Sequence, residues 1–170
     1  MADTVLAKTV LRAETVLRNE RPAVTHQSSL PAESDTLHVD VPATPENVGH
    51  ARHTIADFLH RRAWSSDDAD ALLLAVGEAC NNAVNYGGRG CADPRLIISC
   101  LPLDSHRLQV DIRNQGNSFH PDLIKCGLMP ASDFATHGRG FGLMLALVDD
   151  VQVLSEGENT IVRLTKSKIA

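Results

Sequence analysis

The stretch EACNNAVNYG, residues 78–87, aligns four polar side chains within an otherwise apolar helical pattern. Glu78, Asn81, Asn82 and Asn85 follow the spacing i, i+3, i+4 and i+7, which places them on one face of an α-helix. Each Asn costs roughly 0.5 kcal/mol of helix propensity relative to Ala. The pattern therefore favours a polar cavity over a solvated face, the alternative reading. The predicted core-facing residues of this helix are Leu72, Ala75, Val76, Ala79 and Ala83.

The spacing of Glu78 and Asn82 also suggests a chemical role. A carboxylate and an amide one helical turn apart can hold a water or a hydroxyl group together with Mg²⁺, whose ligands in proteins are oxygen atoms.

A second stretch, HGRGFGLMLALVDD at residues 137–150, combines glycines with the start of a helix. Gly138, Gly140 and Gly142 allow backbone amides to approach an anion, and a helix N-terminus adds its dipole. The stretch lacks the Lys-Ser/Thr of a P-loop and the glycine spacing of a dinucleotide fingerprint. In isolation, a plain helix-capping cluster explains the glycines equally well.

A third stretch, VDIRNQGNSFHP at residues 110–121, places Asn114, Gln115 and Gly116 directly after a predicted strand. Taken alone, these residues predict only a turn.

The order of elements predicts an α/β (α+β) two-layer sandwich, with a mostly antiparallel sheet and helices on one face. Short polar turns join consecutive strands, which favours antiparallel pairing over a doubly wound parallel sheet. A helix is expected to begin at Pro45 after Thr44, and a later one to end at Gly87-Gly88. The predicted strands are 37–41, 96–101, 108–112, 151–153 and 161–164, and the predicted helices start at 45, run from 66 to 86 and span 140–149.

Length and composition favour one globular domain after an N-terminal extension. The chain has 170 residues, of which 43% are hydrophobic, enough for a single core but too few for two full domains. Residues 36–168 carry the globular pattern. Residues 1–35 contain a degenerate TVL repeat that predicts a flexible extension or a short amphipathic helix. The apolar stripe of that helix would consist of Leu6, Val10, Ala13 and Leu17.

Charge and cysteine content favour a cytoplasmic protein. The net charge is −5 with both signs interspersed, so a nucleic-acid footprint is absent from the sequence. The sequence predicts neither a membrane span nor a secretory leader. The four cysteines form no CxxC pair, which is typical of reduced thiols.

The three stretches together, in this order, resemble the Bergerat ATP-binding fold, the superfamily of gyrase, sensor histidine kinases and a heat-shock chaperone. Within it, EACNNAVNYG, GRGFGLMLALVDDVQV and the terminal GENTIVRLTK resemble the anti-sigma-factor serine/threonine kinases of bacterial partner switching. The resemblance covers roughly residues 36–167. Sensor histidine kinases are less similar, because they carry an additional helical pair with a phosphorylated His.

The resemblance implies a role for each matching residue. Glu78 would be the catalytic base for a protein hydroxyl, Asn82 the Mg²⁺ ligand, and residues 121–137 a lid over ATP. Gly116 would let the backbone pass close to adenine. The implied ATP-binding residues are Asn81, Asn82, Asn85, Asn114, Gly116, Gly138, Arg139, Gly140, Phe141, Gly142, Leu143 and Thr160.

The sequence departs from the family pattern at three positions. Asn114 replaces the usual Asp that accepts a hydrogen bond from the adenine amino group. An acceptor remains but its charge is lost, a weakening of roughly 1–2 kcal/mol, or about five- to thirtyfold in affinity. Ser118 stands where Gly is frequent, and Tyr86 where His is common.

The expected function is that of an ATP- and Mg²⁺-dependent protein kinase and anti-sigma factor. It would phosphorylate an anti-sigma-factor antagonist, sequester a sigma factor, and act as a homodimer without binding nucleic acid or membrane. One alternative is a binding module of the same fold without efficient transfer, favoured by Asn114. A further alternative is a detached ATPase domain of a histidine-phosphorylation pathway.

Overall fold

The structure, a computed structural model, describes residues 36–88, 91–115 and 139–169, with the backbone alone at Arg139. The predicted extension at 1–35, Gly116, Ser118, the proposed lid at 121–137 and Gly138 lie outside these ranges. The described elements are β1 (Leu37–Pro42), α1 (Pro45–Arg61), α2 (Ser66–Tyr86), β2 (Arg95–Pro102), β3 (Arg107–Gln115), α3 (Arg139–Leu147), β4 (Asp150–Glu156) and β5 (Asn159–Ser167).

The strands form one antiparallel sheet in the order β1-β2-β3-β5-β4. This confirms the predicted fold class. The β2–β3 turn is tight because the Asp104 carboxylate accepts hydrogen bonds from the backbone N–H groups of His106 and Arg107, at 2.8 and 2.9 Å. A turn of this length reverses the chain and leaves its two strands antiparallel.

Local sequence explains where the first two helices begin. Pro45 occupies the first turn of α1, where its missing N–H costs no hydrogen bond. Ser65 caps α2, since its Oγ accepts a hydrogen bond from the Asp68 N–H at 3.2 Å. The predicted bounds of α2 are confirmed, and its last turn meets Gly87.

The core lies between the helices and one face of the sheet. Inward positions alternate along the central strands, as the burial of Ile98 in β2 and of Val110 and Ile112 in β3 shows. α2 packs against both α1 and α3 and against the sheet. The predicted core face of α2 is confirmed, because Leu72, Ala75, Val76, Ala79 and Ala83 are all buried. Helix α1 buries Val48, Ala51, Ile55, Phe58 and Leu59.

The predicted end of the third helix is wrong by two residues. Helix α3 ends at Leu147, not at residue 149, because the chain turns there into the sheet. The Asp149 N–H donates to the Thr165 carbonyl at 2.9 Å, and Asp150 opens β4. Within the described ranges, no helix combines the length and apolar character needed to cross a bilayer.

Candidate functional site

The first part of the site lies where the start of α3 meets the middle of α2. Met144 is fully buried and Val148 nearly so, which fixes the face that α3 turns towards the core. Gly140 lies one turn before Met144 on that same face. A Cβ built on Gly140 would lie 2.7 Å from Glu78 Oε2 and 3.7 Å from Asn82 Nδ2. The structure therefore brings three predicted site residues together.

The polar stripe of α2 divides into two pairs. Glu78 and Asn82 are half-buried and face the first turn of α3, whereas Asn81 and Asn85 are exposed. The polar cavity predicted for all four side chains stays a prediction. The placement of Asn81 and Asn85 against a ligand stays a prediction.

The second part of the site lies at the end of β3. Asn114 and Thr160 are direct cross-strand partners in the β3–β5 ladder, and both are buried. Asn114 continues the inward-facing series of β3, and its Nδ2 donates to the Gln115 carbonyl at 3.2 Å. Two residues that the resemblance links to ATP, separated by 46 positions, thus share one corner of the core.

The C-terminal end of α2 and the residues after it contact the same region, at the end of β3. The Gly88 N–H donates to the Gln115 carbonyl at 2.5 Å, and Cys91 Sγ donates to Gln115 Oε1 at 2.8 Å. A Cβ on Gly87 would overlap the Asn114 amide. The sequence predicted Gly87 only as a helix stop; its second role, making room for Asn114, requires the three-dimensional contact. The role of Gln115 was missed for the same reason.

The two parts of the site are separated along α2. Glu78 and Gly87 are nine residues apart, which corresponds to about 13 Å of helix. One end offers a carboxylate, an amide and a helix N-terminus, and the other offers a buried amide and a hydroxyl. This arrangement suits an elongated ligand with an anionic group at one end and a hydrogen-bonding ring at the other.

The remaining predicted residues of α3 have different environments. Phe141 and Leu143 are half-buried, and Phe141 packs against the core, whereas Gly142 is exposed. Arg139 opens the helix. Gly116 and Gly138 lie outside the described residues, so their predicted contacts stay predictions.

A buried charge pair at the opposite end of α2 was also missed. Asp68, in the first turn of α2, is buried, and its Oδ1 lies 3.4 Å from Lys166 Nζ. Its Oδ2 also accepts hydrogen bonds from Ser65 Oγ and from the Ile169 N–H, both at 2.9 Å. Burial alone would raise the pKa of Asp68, but these hydrogen bonds and the Lys166 charge outweigh it and lower that pKa.

The two buried thiols are unreactive. Cys80 and Cys100 are free cysteines inside the core, and burial raises the pKa of each to about 12. They stay protonated at neutral pH and are poor nucleophiles. Cys91, beside the Asn114 corner, is exposed.

Comparison with known proteins shows the family of the chain. The profile of the family described as "Histidine kinase-like ATPase domain" matches residues 41–166. A serine-protein kinase RsbW of Bacillus velezensis is 31% identical over 137 residues, which cover 75% of this chain and 82% of that protein. An RsbW of Staphylococcus epidermidis is 32% identical over 134 residues, covering 75% and 84%.

A solved structure shares the fold. The crystal structure of the RsbU and RsbW domains of Rv1364c from Mycobacterium tuberculosis superposes with a TM-score of 0.60 at 16% identity. The match covers 78% of this chain and 32% of that longer one. On the profile match and the identity to the RsbW kinases, the chain belongs to the histidine kinase-like ATPase family, in its branch of anti-sigma-factor serine/threonine kinases.

Proposed function

We propose that this kinase transfers phosphate from ATP to a serine or threonine of an anti-sigma-factor antagonist and sequesters a sigma factor. The observation that carries the proposal is the close approach of Gly140, at the start of α3, to Glu78 and Asn82 of α2. The relatives named serine-protein kinases support phosphate transfer as the reaction. The geometry around Gly140 supports this region as its location.

The phosphate end of ATP would lie at the first turn of α3. The first N–H groups of a helix have no intrahelical acceptor and point outwards, so they can bind an anion. Gly140 lets the backbone of α3 lie close to Glu78 and Asn82, because it has no side chain. The Asn82 side-chain oxygen is a ligand type suited to Mg²⁺, which would supply charge neutralisation of the phosphates.

Glu78 would act as the base. As the γ-phosphorus is transferred, the substrate hydroxyl oxygen forms a bond to it and the bond to the bridging oxygen of ADP breaks. The hydroxyl proton passes to the Glu78 carboxylate. Most of the catalysis in such transfers comes from positioning and electrostatics, and a positioned general base contributes about 10²- to 10⁴-fold.

The adenine end would lie against Asn114 and Thr160. Both are buried polar residues on adjacent strands, at the edge of the core where α2 ends. The Asn114 amide carries a carbonyl acceptor suited to an exocyclic amino group. Asn81, Asn85 and the α3 residues that follow Gly140 would complete the nucleotide contacts.

The test is transfer of labelled γ-phosphate from ATP and Mg²⁺ to an antagonist that co-purifies with the chain. Wild-type protein should label a serine or threonine. Glu78→Gln should bind ATP yet lose at least about a hundredfold in transfer rate, because the amide cannot accept the proton. Glu158→Gln, an exposed acid in the β4–β5 turn, is the matched control and should transfer at the wild-type rate.

Two results would contradict the assignment. Equal transfer by wild type and Glu78→Gln would remove Glu78 as the base. Absence of heat in calorimetry with millimolar ATP and Mg²⁺ would remove the nucleotide site.

A second candidate function is a binding module that regulates a sigma factor or antagonist without efficient transfer. Asn114 favours it, because the neutral amide weakens adenine recognition relative to a carboxylate. Under either function, we propose a cytoplasmic homodimer, whose mass is measurable by light scattering.

A further inference from the structure

We propose that Gly140 is a positioning residue for Glu78: the missing side chain at this position sets where the Glu78 carboxylate lies against the first turn of α3. This inference rests on the proposed kinase function for its catalytic consequence. It goes beyond phosphate enclosure, the role that the sequence suggests for the glycines of this stretch.

The packing of α3 fixes the direction in which a side chain at position 140 would point. Met144 is fully buried, and residues four apart on a helix share a face. Position 140 therefore points at α2, where Glu78 lies. Gly142, two residues later, points elsewhere, and a Cβ built there would meet nothing within 4 Å.

The space at position 140 is too small for one extra carbon. The added Cβ would lie 2.7 Å from Glu78 Oε2, below the 3.0 Å that real Cβ contacts essentially never cross. Asn82 Nδ2, at 3.7 Å, would be in ordinary contact. Of these two side chains, only Glu78 would have to move, and it can do so because its carboxylate ends a flexible side chain.

The Glu78 carboxylate would have to move only a short distance, but the expected effect on the transfer rate is large. Ordinary contact begins at 3.4 Å, so the carboxylate must recede by about 0.7 Å. A base must be within hydrogen-bond reach of the proton it takes, and a misplacement of about 1 Å can cost about a hundredfold in rate. Ala has higher helix propensity than Gly, so the same change should not weaken the fold.

The kinetic experiment is a double-mutant cycle between the two positions, with transfer to the antagonist at saturating ATP as the readout. Gly140→Ala should lower kcat by about ten- to a hundredfold while the melting temperature stays equal or rises. In a Glu78→Asp background, whose shorter side chain avoids the clash, the same change should cost less than about threefold. Gly49→Ala adds a methyl to an exposed glycine of α1 with nothing within 4 Å and should leave kcat unchanged.

Three kinetic outcomes overturn the proposal. The first is an unchanged kcat in Gly140→Ala. The second is a rise in KM for ATP alone, which would assign Gly140 to phosphate enclosure. The third is an equal loss in the Glu78 and Glu78→Asp backgrounds, which would show that Gly140 acts independently of the carboxylate.

A structural readout separates this proposal from the kinase function itself. Crystal structures of wild type, Gly140→Ala and Gly49→Ala without nucleotide should show the Glu78 carboxylate displaced only in Gly140→Ala, by about 0.7 Å or more. A carboxylate that stays in place overturns the positioning role, whether or not transfer is observed. If the carboxylate is displaced in Gly140→Ala but the wild-type protein transfers no phosphate, the positioning role is supported and the proposed kinase function is rejected.

Discussion

Helix α2 carries two carboxylates of low exposure, one in its first turn and one near its middle, and they have different surroundings. Asp68, in the first turn, is buried and surrounded by Lys166, the Ser65 hydroxyl and the Ile169 N–H. Glu78, three turns further on, is half-buried and faces the glycine at the start of α3. A carboxylate enclosed by donors stabilises a fold, whereas a half-buried carboxylate where two helices meet can still reach a substrate.

The largest effect on the fold is expected from removing the enclosed carboxylate. Asp68→Ala leaves Lys166 buried without its counter-charge and should lower the free energy of unfolding by about 3–5 kcal/mol. Urea unfolding followed by circular dichroism measures it. Asp67→Ala, in the same turn but exposed, should cost no more than about 1 kcal/mol of helix-dipole interaction. Equal losses in the two variants would refute the structural role of Asp68.

A smaller effect, on ligand binding, is expected at the other end of α2. Asn114→Asp restores a charged acceptor and should tighten ATP binding by about five- to thirtyfold, measured by calorimetry. Transfer should rise at low ATP and change little at saturation, because the interaction concerns binding more than the transition state.

Two outcomes of that experiment carry different lessons. Unchanged affinity would show that Asn114 does not face adenine. Tighter binding without transfer to any antagonist would favour the binding module over the kinase.

The smallest effect concerns acid stability. The pKa of Asp68 is lowered in the folded state, so its ionised form stabilises the fold at pH values above the ordinary Asp value of 3.8. That contribution is lost as the pH falls below 3.8 through the folded pKa. Asp68→Asn should therefore show a shallower loss of unfolding free energy between pH 4 and pH 2 than wild type. If the unfolding free energies of wild type and Asp68→Asn fall equally steeply with pH, groups other than Asp68 cause the acid sensitivity.

Much of the fold could be predicted because its signals are local. The apolar periodicity of α2 predicted its buried face, and the Thr44-Pro45 pair predicted the start of α1. The short turns predicted antiparallel pairing. The end of α3 was misplaced because Val148 continues the apolar pattern, while the Asp149 N–H donates to the Thr165 carbonyl of β5, the strand that pairs with β4.

The sequence suggested residues for the candidate site but not their contacts. The family resemblance implied Glu78, Asn114 and Thr160, yet the register that makes Asn114 and Thr160 neighbours depends on long-range pairing of β3 with β5. The pairing of Asp68 with Lys166, 98 residues later, has no local signal either. The direction of Gly140 towards Glu78 follows only from how α3 packs.

The most direct test of this account measures transfer and unfolding on the same preparations of two variants. Glu78→Gln should unfold at the wild-type urea concentration and lose at least about a hundredfold in phosphate transfer. Asp68→Ala should lose about 3–5 kcal/mol of stability and, at a temperature where it stays folded, transfer phosphate at the wild-type kcat. Normal transfer by Glu78→Gln, or loss of transfer by folded Asp68→Ala, would contradict the division of α2 into a stabilising first turn and a catalytic middle.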